Sequence, residues 1–225
     1  MAESPARTIA RTLAAYERAA DVYARDFRPP SPDYLDFLDD FVDWVGPDAE
    51  VLEIGSGTGH DADLLEAEGV RVWRSDAAPA FVRAMRARGL QASTLNVLSD
   101  DLDGPWDGIY ANAVLLHLSP DELAAALERM AAAVAPGGAL AFTLREGDGA
   151  GWDTRLGAPR HFTYWREAPL LQLIAASPWD LVSVERAGGP SEPWLRCLCG
   201  RSWDDAQATS AVAESRASTA ASATK

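Results

Sequence analysis

The segment Val51–Leu65, VLEIGSGTGHDADLL, limits the possible folds more than any other part of the chain. Val51–Ile54 reads as a buried strand, and it runs straight into Gly55, Gly57 and Gly59 and then into a helix over residues 60–68. Glycines at such a junction permit positive φ and let a ligand approach the main chain. The helix behind them offers unpaired N–H groups and the positive end of its dipole. The three glycines therefore mark a cradle for a nucleotide or a carboxylate at the carboxyl end of a first strand, where open α/β sheets bind ligands.

The alternation continues beyond the loop. Strands are expected at 70–75, 92–95, 107–111 and 139–144, and helices at 79–88, 120–134 and 167–176, with Ser119-Pro120 opening one helix and Pro136-Gly137-Gly138 following its end. Strand and helix in turn imply a mostly parallel sheet covered on both faces. Residues 181–187 and 194–200 are two further strands. Their link, Gly188 to Glu192, is too short for a crossover, so they form an antiparallel hairpin. The expectation is an α/β, doubly wound, mostly parallel seven-stranded sheet with an antiparallel C-terminal hairpin.

Two helices precede the sheet. Ile9, Leu13, Tyr16, Ala20, Tyr23 and Phe27 recur at spacings of three and four and make one apolar stripe. Pro29, Pro30 and Pro32 break the chain, Ser31 caps a second helix, and Gly46-Pro47 ends it. Residues 1–46 are thus read as a helical lid, 47–204 as the ligand-binding domain, and 205–225, rich in Ala, Ser and Thr, as a disordered tail.

Composition excludes several classes. The net charge of −14 opposes a phosphate backbone, so no nucleic acid partner is expected. Among the basic residues only Lys225 is a lysine, which removes any mechanism needing a lysine in the folded body. Two cysteines, Cys197 and Cys199, do not make a disulfide scaffold, and a C-x-C pair without partners at matching spacing reads as buried packing rather than a metal site. No stretch has the length of a membrane helix and the N-terminus has no signal-peptide core, so a cytoplasmic protein with no membrane contact is expected, monomeric or a homodimer.

The flanks of the loop narrow the ligand. His60 stands where the dinucleotide fingerprint G-x-G-x-x-G needs its last glycine. Glu53 precedes the loop, and Asp76 ends the second strand, placed to accept bonds from two ribose hydroxyls. With these flanks the chain resembles the class I S-adenosylmethionine-dependent methyltransferases. VLEIGSGTG is similar to their first motif, VWRSDAAPAFVRAMRARG to the second, and GPWDGIYANAVLLHLSPDELAAALERMAAAVAPGGALAF to the region of the fourth and fifth strands, over residues 51–144 in one register.

The resemblance implies S-adenosyl-L-methionine as cofactor, with S-adenosyl-L-homocysteine as product and no metal. It places Gly55, Ser56 and Gly57 along the methionine part, with Gly59 in the same cofactor-binding loop and Glu53 holding the glycine turn or the amino group. It places Asp76 on the ribose, Ala77 against the adenine, Asn96 and Val97 at the adenine edge, and Asn112 at the methyl-donor end. Tyr16 and Tyr23 match aromatic positions that cap the cofactor carboxylate, and packing in the core is the alternative for both.

A sulfonium methyl is already electrophilic, so the protein must chiefly align the acceptor and exclude water. A hydroxyl acceptor also needs a base. His117, in LLHLS, is the candidate base, the alternative being that it packs under its loop or caps the helix after it. Arg145, Trp152 and Arg160 fall between the fifth strand and the last helix, where a substrate lid would lie. The glycines around Trp152 fit either a lid or a linker.

The absence of an N-P-P-aromatic run, a Pro-Cys nucleophile, a body lysine and a paired-glutamate loop points away from DNA bases, metal-dependent catechol chemistry and protein arginine. A small molecule or short peptide is the expected substrate. Arginine and alanine in place of lysine suit a high-GC bacterial genome, where such enzymes tailor secondary metabolites. An NAD-dependent oxidoreductase and a non-catalytic cofactor-binding module are the competing readings.

Overall fold

Side chains alternate across each central strand and so build two apolar layers on one sheet. Leu52 and Ile54 of β1 (Glu50–Ile54), Ile109 of β4 (Trp106–Ala111), and Leu140 and Phe142 of β5 (Val134–Glu146) face one way. They pack on Leu123, Ala126, Leu127 and Met130 of helix α5 (Pro120–Ala133). Val51, Tyr110, Ala139 and Ala141 face the other way, onto Phe37 and Phe41 of α2 (Pro32–Val45) and Leu65 of α3 (His60–Ala67). The computed structural model describes residues 4–25, 29–155 and 157–202.

The strand order is β3-β2-β1-β4-β5, all parallel, with β2 at Arg71–Asp76 and β3 at Ala92–Thr94. Helix α4 (Pro79–Ala87) links β2 to β3. Antiparallel to β5 runs β9 (Trp194–Arg201), and β8 (Trp179–Ala187) pairs β9, as the short link between them requires. α6 (Glu167–Ala175) precedes β8. The N-terminus of α5 carries a capping box. The Ser119 amide donates to Glu122 Oε2 at 2.9 Å while Ser119 Oγ accepts from the Glu122 amide, a device worth about 1 kcal/mol.

The expectations of α/β class, parallel sheet and closing hairpin are met, with nine strands in place of seven. The added pair is β6 (Ala150–Asp153) and β7 (Arg160–Trp165), an antiparallel hairpin within the stretch read as lid or linker. β5 outruns β4, and its end pairs β7 in parallel through Arg145–Tyr164 and Glu146–Trp165. The hairpin therefore stands beyond the carboxyl end of β4. Glycines at 147, 149 and 151 mask the strand pattern, and the pairing with β5 supplies the order that the local sequence lacks.

Strand β5 also begins earlier than expected, at Val134, with a register shift between Trp106–Val134 and Gly108–Ala139 that accommodates the Pro136-Gly137-Gly138 turn. A Cβ on Gly138 would lie 2.5 Å from the Asp107 carbonyl oxygen, so only glycine fits there. The grouping of residues 1–46 as a lid divides in the structure. α1 (Pro5–Arg25) turns its stripe over the carboxyl ends of the strands, whereas α2 is part of the sheet's core. Phe27 and the tail at 205–225 lie outside the described residues. Among the described residues no helix is long and apolar enough to cross a membrane.

Candidate active site

A crevice opens where β1, β2 and β3 end, roofed by α1 and walled by the segment after β4. It encloses about 790 Å³, including the space open to solvent at its mouth. Its floor is the glycine loop. Gly55, Gly57 and Gly59 have φ of 75°, 54° and 84°, the left-handed region that glycine enters without strain. A Cβ on Gly55 would meet Val114 Cγ2 at 2.6 Å, so the loop lies tight against the end of β4.

Asp76 ties the loop to the second strand. Its Oδ2 accepts from the Gly57 amide at 2.9 Å and its Oδ1 from the Ala78 amide at 2.7 Å. Each oxygen keeps a lone pair for a ligand. Burial pushes its carboxyl up to about 6, against the pull of these two amides. Below the loop, the Ser56 amide donates to the Ser75 carbonyl and the Ser75 amide to Ser56 Oγ, at 2.8 and 3.0 Å. Glu53 is buried beneath them, beside Ser56, and its Oε2 has no hydrogen-bond partner among the described residues. Burial, reinforced by nearby Asp61, raises its carboxyl to about 8.

Of the expected ligand-binding residues, the crevice gathers Tyr16, Tyr23, Gly55, Gly57, Asp76, Ala77, Asn96, Val97 and Asn112, with His117 on the same wall. Glu53, Ser56 and Gly59 do not line it. They lie under or behind the loop and shape it. Asn112 spends its amide on the framework: Nδ2 donates to Asp61 Oδ2 and Oδ1 accepts from Thr143 Oγ1, both at 2.8 Å. Phe81, Leu95, Val97 and Leu118 give the crevice apolar walls.

The roof is held from the opposite side. The His117 Nδ1–H donates to the His161 carbonyl at 2.6 Å, since a carbonyl only accepts, and this leaves Nε2 as the acceptor for the Tyr16 hydroxyl at 2.8 Å. Burial lowers the imidazole to about 4, so it is neutral at pH 7. Arg160 Nη1 donates to the Tyr16 oxygen at 3.2 Å and its Nη2 to Asp153 at 2.9 Å. The His161 amide donates to Thr12 Oγ1 at 3.0 Å, and Arg11 lies 4.3 Å over the Trp152 ring. α1 is thus fastened to the β6–β7 hairpin.

Arg145, Trp152 and Arg160 are not in the crevice lining. Trp152 and Arg160 instead contact α1, at Arg11 and Tyr16. Arg145 stacks on Trp194 at 4.5 Å and pairs Glu192 at 3.5 Å. Cys197 and Cys199 are buried in β9. Among the described residues no group of His, Cys, Asp or Glu is arranged to hold a metal ion. Sequence reading passed over Asp61, Thr143 and Phe81. The signal for Asp61 was an acid in the first turn of the helix that leaves the glycine loop.

The residues present fit an adenosyl sulfonium. The crevice offers paired carboxylate lone pairs for a diol, apolar walls for a base, and a backbone cradle in which a Cβ at Gly57 would point at the Tyr23 ring from 3.6 Å.

A family model described as a methyltransferase domain matches residues 23–184. Among solved structures, a Burkholderia thailandensis 1,6-didemethyltoxoflavin N1-methyltransferase with bound 1,6-didemethyltoxoflavin and S-adenosylhomocysteine is 21% identical. It superposes at a TM-score of 0.71, covering 90% of this chain and 92% of its own. The DhpI protein, solved in complex with SAM and HEP, is 20% identical with a TM-score of 0.72, over 88% and 99% of the two chains. Magnesium protoporphyrin IX methyltransferase from Synechocystis PCC 6803, with bound SAM, is 15% identical with a TM-score of 0.67, over 90% and 100%. These likenesses are of fold. No curated protein matches the chain at a significant level.

Proposed function

The chain belongs to the class I S-adenosylmethionine-dependent methyltransferase family, and on that premise we propose that it methylates an oxygen or nitrogen of a small molecule or short peptide by direct in-line displacement. The observation that carries this is the closure of Asp76 on Gly57 at 2.9 Å, which sets a carboxylate and a backbone cradle on the two sides of one crevice. When bound, S-adenosylmethionine supplies a methyl carbon on a sulfonium as the electrophile.

The chain's residues do the rest. Asp76 takes the ribose hydroxyls and the Gly55–Gly57 backbone takes the methionine end. Ala77, Asn96 and Val97 bracket the adenine edge, and Tyr16 and Tyr23 close over the carboxylate end. Holding donor and acceptor in line and dry accounts for most of the expected acceleration. His117 is a positioning residue in this reading. Its lone pair is spent on the Tyr16 hydroxyl, and a conjugate acid near 4 makes it a weak base, so it fixes the roof in its closed position. The small-molecule methyltransferases of like fold support the substrate class.

The test is incubation of the protein with S-adenosylmethionine and a bacterial metabolite extract, followed by mass spectrometry. A product heavier than its precursor by one CH₂, formed together with S-adenosylhomocysteine, is expected. Tight S-adenosylhomocysteine binding without turnover on any extract would assign the chain to the non-catalytic modules.

A further inference from the structure

A second cavity of about 980 Å³, including the space open to solvent at its mouth, lies at the carboxyl ends of β4 and β5 and the amino end of β9, between the first turns of α2 and α3. It shares Asn112 and Ala113 with the donor crevice, so the two spaces are separated by one turn of chain. This is beside the boundary between β1 and β4, from which the strand order runs outward in both directions and at which open α/β sheets place their ligands.

Its lining combines flat rings with a carboxylate. Tyr34, Trp194 and Leu64 are among its lining residues, and Arg196 lies 5.6 Å over the Tyr34 ring. Asp61 is half-buried and faces the space from the first turn of α3. It is held by neutral groups, the Asn112 amide at 2.8 Å and the Tyr34 phenol, which itself accepts from Tyr110 at 2.9 Å. Two other ionised residues of the lining are engaged: Arg196 with Asp33 at 3.0 Å, and Asp63 with Arg74 and Arg88, each at 2.9 Å. His60, adjacent in sequence, also lines the space and acts electrostatically on Asp61. Thr143 Oγ1 accepts from the Ala113 amide and donates to Asn112, both at 2.8 Å, so the dividing wall is fixed.

We propose that this cavity is the acceptor pocket, and that it takes a small amine carrying an aromatic ring, its protonated nitrogen held by Asp61 beside the Asn112 wall. The ring lies between Tyr34 and Trp194. The inference rests on the methyltransferase reading and adds the acceptor class to it. In the reaction the ammonium gives one proton to the Asp61 carboxylate, which frees the nitrogen lone pair. The N–C bond to the methyl carbon forms as the C–S bond breaks, and that bond's electron pair passes to sulfur, leaving a neutral thioether and a methylated ammonium. The Asp61 proton then returns to solvent. Burial raises the Asp61 carboxyl above the usual carboxylate range, so it takes a proton more readily than a surface acid.

The test titrates tyramine and tryptamine, and their alcohol counterparts tyrosol and tryptophol, into the protein saturated with S-adenosylhomocysteine, by calorimetry. Both amines are expected to bind about tenfold or more tightly than the alcohols, the size of one charge-assisted hydrogen bond. Asp61→Asn brings amine binding down to the alcohol level. Leu64→Trp, which fills the cavity and leaves the carboxylate in place, weakens amines and alcohols alike and keeps S-adenosylhomocysteine affinity within about threefold of wild type. Amines that bind no better than alcohols, or that bind both variants undiminished, overturn the proposal. If Asp61→Asn does not fold, Leu64→Trp decides. Failure of the wild-type chain to bind S-adenosylhomocysteine defeats the methyltransferase reading itself, whereas S-adenosylhomocysteine binding without amine binding defeats only the acceptor pocket.

Discussion

The floor and the roof of the donor crevice are built by different means. The floor, from Glu53 to Ala78, is one short stretch of chain joined mainly through backbone amides: Gly57 and Ala78 to Asp76, Ser56 to Ser75. The roof is held mainly by side chains from distant parts of the chain. Tyr16 and His117 are 101 residues apart, Arg160 and Tyr16 144, and His161 and Thr12 149. Backbone ties of short span form with the strand and helix they belong to and are hard to lose. Side-chain ties of long span close loops at an entropic cost and yield first. A fixed floor and a releasable roof suit a site that must admit a large donor and then exclude water.

The contrast is open to attack at both ends. The largest effect belongs to the floor. Asp76→Ala removes the partner of two amides and of the ligand's diol, and S-adenosylhomocysteine affinity should fall about 100-fold or more by calorimetry, at ~1.5–3 kcal/mol per charged hydrogen bond. A loss below about threefold would place the ribose elsewhere.

Tyr16→Phe comes next and attacks the roof. It deletes the bond to His117 and the one from Arg160, at ~1 kcal/mol each, so S-adenosylhomocysteine should dissociate about tenfold faster in stopped-flow measurements. The same change should leave the association of tyramine or tryptamine with the second cavity untouched. An unchanged dissociation rate would show that the roof does not gate the donor.

A smaller effect concerns pH. The Glu53 carboxyl, raised to about 8 by burial, holds its proton in the folded chain over a range where the unfolded chain has released it. Its contribution is complete below the unfolded value near 4.5 and is lost as pH rises through about 8. His117, lowered to about 4, acts with the opposite sign, but only up to its unfolded value near 6.5. Asp76, raised to about 6, has largely completed its change by then. Between pH 6.5 and 8, denaturant titrations should therefore show stability falling by about 1 kcal/mol, and Glu53→Gln should flatten that slope. A wild-type slope of the opposite sign would mean that Glu53 is ionised beneath the loop.

The smallest effect is expected at Trp152→Ala. The ring is exposed and its contacts are the Arg11 guanidinium at 4.3 Å and the edge of the His161 ring at 5.2 Å, so thermal stability should change by no more than ~0.5–1 kcal/mol and donor affinity hardly at all.

The same contrast explains what could be read from the sequence. The glycine loop and Asp76 were legible because their relation is local, a strand, a turn and the next strand, and their geometry follows from residue type. The helix start at Ser119-Pro120 and the β8–β9 hairpin were legible for the same reason. The β6–β7 hairpin was not, because its strands depend on the free end of β5, which no local pattern announces. His117 could be singled out by its place after the fourth strand. Which of its nitrogens was occupied, and by what, depended on Tyr16 and His161 arriving from the two ends of the chain. Asp61 was passed over because a first-turn acid on a helix is ordinary, and only the fold sets it between Asn112 and Tyr34.

A crystal grown with S-adenosylhomocysteine tests the whole most directly. The expected result is one molecule in the crevice, with both ribose hydroxyls within hydrogen-bond distance of the Asp76 carboxylate and the amino-acid end over the glycine turn. A crevice left empty, or the molecule bound anywhere else on the chain, would contradict it.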